Sequence, residues 1–106
     1  MAWTTLCDLS ELTEGKGHAV EIDGYRLAVF LHEGRPYALS DECPHAGAPM
    51  AGGWIDDACA VCPMHCWQFR LTDGKLPGGG EGLMTYPVRI IDFGGRRIVQ
   101  ADLKMP

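Results

Sequence analysis

The sequence predicts an all-β fold, an antiparallel sandwich or small barrel, from three observations. Short runs rich in β-branched and aromatic residues recur along the chain, Gly and Asp punctuate them at short and regular intervals, and no long stretch holds a 3.6-residue apolar period. A chain of 106 residues, 46% hydrophobic and 22% charged, suits one compact soluble domain spanning 1–106.

In chain order, "LCDLSELTEG" is expected to start with a helical turn. "HAVEIDG" and "YRLAVFLH" meet across Asp23-Gly24, a strong hairpin signal because the turn needs positive φ at both central residues. "RLAVFLHEGRPYALS" turns again at Glu33-Gly34 into a further strand. "ACAVC" (58–62) reads as a short apolar strand, and "WQFRLTDGKL" turns at Asp73-Gly74. "YPVRIID" and "RRIVQADL" flank "FGG" as a last hairpin. Two Gly/Pro-rich segments, 40–54 and 76–87, break this rhythm, and neither reads as a linker between domains.

The formal net charge of −5 argues against nucleic acid and anionic membrane surfaces as partners. No apolar run approaches the roughly 20 residues of a membrane helix. "MAWTTLCDLSEL" lacks the basic and apolar regions of a secretory signal, so a cytoplasmic location is expected. Five cysteines cannot all pair within one chain, which in a reducing compartment favours thiols or metal ligands over a disulfide framework.

Two Cys/His boxes carry the chemistry. Cys43-Pro44-His45 is C-x-H and Cys62-Pro63-Met64-His65 is C-x-x-H, with residues 46–61 between them. Each follows a predicted strand, so two such strands placed side by side bring two thiolates and two imidazoles around a common point. Pro44 and Pro63 stiffen the loops by fixing φ. A single Cys/His pair is more often incidental than functional, but two matched pairs at this interval are hard to obtain by chance. The residue types admit zinc, which accepts Cys₂His₂ ligation and would make the chain a zinc-stabilised β interaction module without redox activity. Common zinc patterns, however, pair Cys with Cys and place the two His on a helix, and no helix is predicted here.

At these residues the sequence resembles the Rieske family of [2Fe–2S] proteins, whose two-box pattern "CPH" and "CPMH" match. "WTTLCDLSEL" and the closing "YPVRIID" hairpin are also similar to Rieske-type ferredoxins. The resemblance implies a Rieske-type antiparallel β-sandwich with two cluster-binding loops at strand ends. It implies one [2Fe–2S] cluster, with Cys43 and Cys62 on one iron and His45 and His65 on the other. "LPGGGEG" sits where the family has a third loop that covers the cluster. Replacing two thiolates by neutral imidazoles takes the oxidised cluster from a double negative charge to neutrality, so an added electron is better accepted. That electron is expected on the histidine-bound iron, at the loop tips.

The implied role is a soluble one-electron carrier without catalytic activity of its own, part of a multicomponent oxidoreductase system. In one setting it is the ferredoxin component of a dioxygenase, between a flavin-dependent reductase and a terminal oxygenase. In the other it is a nitrite reductase small subunit that serves the large subunit. "CPH" rather than "CTH", and "CPMH" with the aromatic Trp67 one residue beyond Cys66, lean towards the second.

Respiratory members of the family brace the loops with a disulfide at positions that here are Ala48 and Met64, so folding is expected without one. Cys59 reads as a small buried hydrophobe in a strand, while the role of Cys66 is left open. Trp3 and Trp54 are expected in the core or under the loops; for Trp67 core packing is favoured over docking. His18 and His32 are given no metal role. High-potential members carry a serine and a tyrosine hydroxyl where this chain has Trp67 and Phe69, which points to a low-potential member.

Overall fold

A computed structural model describes residues 3–41, 49–64, 67–77, 79 and 82–103. Among these residues the chain forms ten strands in three antiparallel sheets. The first sheet joins β1 (Trp3–Asp8), β10 (Arg96–Asp102) and β9 (Val88–Phe93) in that order. The second runs β2 (Gly17–Ile22), β3 (Tyr25–His32), β4 (Arg35–Ser40), β8 (Thr85–Tyr86). The third is small: β5 (Trp54–Asp56), β6 (Cys59–Val61) and β7 (Gln68–Arg70), three residues each.

The expected hairpins form at the expected turns. Asp23 and Gly24 have φ of 51° and 81°, and Glu33 and Gly34 have 52° and 77°, so both central residues of each turn lie in the left-handed region. The closing hairpin turns on Gly94-Gly95, with Phe93 as the last residue of β9. The helical turn near the N-terminus is a single 3-10 turn, Leu9–Glu11. Its Asp8 carboxylate accepts the Ser10 N–H and the Glu11 carboxylate accepts the Asp8 N–H, a reciprocal cap. The Ser10 hydrogen bonds, with help from Arg96, hold the Asp8 carboxyl below its ordinary range.

The Asp73-Gly74 turn forms, with Gly74 at φ 73°, but no strand follows it. Gly74 packs so closely on the Leu83 carbonyl that a Cβ has no room; the Arg70 N–H donates to the Lys75 carbonyl at 2.9 Å across the turn, but the return does not extend into a strand. The "ACAVC" strand is shorter than expected because Ala58 is in a turn. Asp57 and Ala58 both have positive φ, 52° and 60°, and join β5 to β6. The sequence carries no Asp-Gly signal for this hairpin.

β3 explains how the sheets stack. Leu27, Ala28, Val29 and Phe30 are all buried, so the strand is covered on both faces and reads as a continuous apolar run rather than an alternation. Val29 packs with Cys7, Leu12 and Val99, and Leu27 with Ala38, Ala101 and Leu103, towards the first sheet. Ala28 and Phe30 pack with Leu39, Met50, Ala60, Cys62 and Phe69, towards the third. The second sheet is therefore the middle layer. Full burial of side chains such as Phe30 and Phe69 contributes about 1.5–3 kcal/mol each. Burial, reinforced by the Glu11 and Asp8 carboxylates, pushes the Cys7 thiol up to about 11, as expected of an inert core thiol.

Ala58 bears a Cβ in a left-handed conformation that costs such a residue about 1–2 kcal/mol. Ala58→Gly is expected to raise stability by about 0.5–1 kcal/mol once the extra freedom of the unfolded glycine is offset. Thermal unfolding of the two proteins checks this, and a lower melting temperature in the variant would count against the strained turn.

Candidate metal centre

Three loops leave the fold at one place, and each is closed at its base by a backbone hydrogen bond. The Met50 N–H donates to the Asp41 carbonyl at 2.7 Å, closing the loop that holds Cys43 and His45. The Cys62 N–H donates to the Trp67 carbonyl at 2.8 Å, closing the loop that holds His65. The Leu83 N–H donates to the Gly74 carbonyl at 2.7 Å, closing the glycine-rich loop. Met50, Cys62 and Leu83 all pack in one apolar cluster with Phe69 and Leu39, so the three loops share a root. The start of the first loop also meets the end of the third, because the Ser40 N–H donates to the Met84 carbonyl at 2.9 Å.

β4 and β6, the strands that precede the two boxes, lie in different sheets and do not pair side by side as expected. A 3-10 turn, Met50–Gly52, makes the connection instead. Gly53, just after it, is so close to the Val61 carbonyl that a Cβ has no room. A Cβ on Gly52 would sit 3.6 Å from the Pro63 ring, which is ordinary contact. The exit of the first box loop thus lies against the entry of the second.

Of the four expected ligands, Cys62 is described, at the end of β6 with no exposed surface. Cys43, His45 and His65 lie outside the described residues, as do Cys66, Ala48 and part of the 76–82 loop. No group of three metal-ligating side chains is found among the described residues, three of the four candidates lying beyond them. The second loop runs outward from its root: Cys62 is fully buried, and Met64 is 65% exposed. A buried soft thiol at the root of paired loops is the donor chemistry that an iron–sulfur cluster takes.

The remaining expectations divide. Cys59 is buried in β6 and burial raises its thiol, as expected of a packing residue. Cys7, Cys59 and Cys62 are free thiols. His18 and His32 lie in β2 and β3, in the middle sheet. Trp3 sits partly buried under the Arg89 guanidinium, 4.3 Å from its ring centroid. Trp54 is 43% exposed, on an edge strand rather than in the core, and Trp67 is 36% exposed, against the packing expectation. Asp41 was not singled out by its residue type. The structure places it at the base of the first loop, 6% exposed, with its carboxylate accepting the Ala51 N–H at 2.8 Å.

The Rieske [2Fe-2S] domain family model matches residues 2–82. The ferredoxin component of the naphthalene 1,2-dioxygenase system of Pseudomonas putida is 32% identical over 90 residues, covering 83% of this chain and 86% of that protein. The 3-phenylpropionate/cinnamic acid dioxygenase ferredoxin subunit of Escherichia coli is 35% identical over 88 residues, covering 79% and 81%. Among solved structures, a Mycobacterium tuberculosis protein assigned as an NADH-dependent nitrite reductase small subunit superposes with a TM-score of 0.85. It is 28% identical, and the match covers 98% of this chain and 97% of that one.

The close approach at Gly53 yields a sharp contrast. Gly53→Ala is expected to cost about 1–3 kcal/mol, since backbone must shift to admit the methyl group. Gly52→Ala is expected to stay within about 0.5 kcal/mol of the parent. Equal unfolding midpoints for the two variants would contradict the geometry.

Proposed function

This chain belongs to the Rieske [2Fe–2S] family and is a one-electron carrier with one [2Fe–2S] cluster, and we propose that Cys43, His45, Cys62 and His65 are its ligands. When bound, the cluster accepts and gives up single electrons. The carrying observation is the common root of the three loops, where buried Cys62 meets the closure of the loop that holds Cys43 and His45. Cys43 and Cys62 would hold the inner iron as thiolates. His45 and His65 would hold the outer one, a reading supported by the outward run from Cys62 to exposed Met64. The zinc alternative is not favoured, since the Rieske [2Fe-2S] family model covers most of the chain and the relatives are ferredoxin components.

On this reading residues 1–106 form a single domain that works between protein partners. The dioxygenase relatives support a flavin-dependent reductase as donor and a terminal oxygenase as acceptor. The structural neighbour supports the second setting, with a nitrite reductase large subunit as acceptor. No helix among the described residues is long and apolar enough to cross a membrane, and the cytoplasm is the proposed location. Exposed Met64, Trp67 and Met84, on or beside the loops, supply an apolar rim suited to brief docking at the cluster end.

The ligand set is tested by single replacements. Cys43→Ala, His45→Ala, Cys62→Ala and His65→Ala are each expected to abolish the Rieske-type EPR signal and to lower thermal stability, because ligation ties the loops together. His18→Ala and His32→Ala are expected to keep the signal. Normal iron content and spectrum in His65→Ala would overturn the assignment.

The midpoint potential is the second test. Phe69 has no hydrogen-bond donor and is wholly buried in the core, and position 67 bears an indole rather than a hydroxyl. Hydrogen bonds to charged groups contribute about 1.5–3 kcal/mol. Only the difference between redox states counts, and 59 mV corresponds to a tenfold change for one electron. The two missing hydroxyls, together with the missing disulfide, then lower the potential by the order of 100 mV. The family spans roughly −150 to +300 mV, and a value in its lower part is expected. A midpoint above about +150 mV by protein-film voltammetry would sink the hydroxyl argument.

A further inference from the structure

We propose that Asp41 is a positioning residue for the cluster, holding the base of the loop that carries Cys43 and His45 through the hydrogen bond its carboxylate accepts from Ala51. The inference rests on the reading of those two residues as ligands. Asp41 is one residue beyond β4 and two before Cys43, and only 6% of it is exposed. Buried carboxylates are rare unless their oxygens are satisfied, and here Oδ1 accepts a backbone N–H.

Three bonds converge on the residue. Its N–H donates to the Arg26 carbonyl at 2.9 Å, which ties it to β3. Its carbonyl accepts the Met50 N–H at 2.7 Å, and its Oδ1 accepts the Ala51 N–H at 2.8 Å. The first two bonds are available to any residue at this position. The third needs an acceptor one methylene from the backbone, which only a few side chains offer. It fixes Ala51, the second residue of the 3-10 turn, relative to the strand that leads into the loop. The same turn is held from behind, where Ala51 packs so tightly on Gly17 that no Cβ fits there. Asp41 thus sets the separation of the two chain ends from which the ligands project.

The test compares reduced holoproteins by EPR and follows cluster loss to a chelator by bleaching of the visible absorbance. Asp41→Ala is expected to bleach about tenfold faster than the parent, equivalent to about 1.4 kcal/mol, with altered g-values. Asp41→Asn keeps the acceptor oxygen, so its spectrum should overlay the parent's and its bleaching rate stay within about threefold. Val99→Ala, a buried core truncation on the far side of β3, towards the first sheet, should lower the melting temperature and leave the g-values unchanged. If Asp41→Ala does not accumulate, Asp41→Glu serves: it keeps the charge but displaces the acceptor, and should bleach faster than Asp41→Asn. Parent-like spectra and bleaching in Asp41→Ala, Asp41→Asn as impaired as Asp41→Ala, or Asp41→Glu outlasting Asp41→Asn would each overturn the inference. So would altered g-values in Val99→Ala. A parent protein without a Rieske signal would instead overturn the ligand reading.

Discussion

The cluster end of the molecule depends on the closeness of one turn to one strand. Gly53 lies against the Val61 carbonyl with no space for a side chain, and its N–H donates to the Met50 carbonyl at 2.9 Å. Glycine is required there by contact rather than by φ, which at −88° suits other residues. This approach lets two loops from different sheets emerge side by side. Met50 fills the space beneath the turn with no exposed surface, so the approach is buttressed by the same core that holds Cys62.

An electron carrier works best when its ligands move little between redox states. Rooting the loops in a packed core serves that need, because interiors at close-packed density resist displacement. The hydrogen bonds at the three loop bases fall between 2.7 and 2.8 Å, and each anchors a residue whose side chain is buried in the same cluster. Outside the roots the chain becomes exposed, as at Met64, Trp67 and Met84. A rigid interior and an accessible rim thus meet within a few residues.

The parts of this fold legible in the sequence were those with local chemistry. Asp23-Gly24 and Glu33-Gly34 announce their turns because glycine marks positive φ, and the two Cys/His boxes are recognisable because each places a proline directly after Cys and a His close behind. Asp57-Ala58 adopts the same turn without the glycine, held by tertiary pairing of β5 with β6, so no local signal marks it. Gly53 looks like any loop glycine until Val61 is placed beside it. Asp41 likewise reads as a solvated turn carboxylate, since its partners at 50 and 51 lie across the loop it closes. Trp54, expected in the core or under the loops, sits on the edge strand of a sheet too small to cover it.

The two halves of the structure draw their stability from different sources. The first and second sheets have strands of six to eight residues, apart from two-residue β8, and β3 of the second is buried between the first and third sheets. The third sheet has strands of only three residues, a length at which pairing alone stabilises little. Its share of the core comes from Ala60, Cys62 and Phe69 packing on Phe30 and Leu39. Ligation through Cys62 and His65 would add to the small sheet what its short strands lack, because metal-binding free energy appears as folding free energy. On that reading the sheet that presents Cys62 would gain more from the cluster than the scaffold of long strands. Assembly and local folding at the electron-transfer end are on this account a single coupled event.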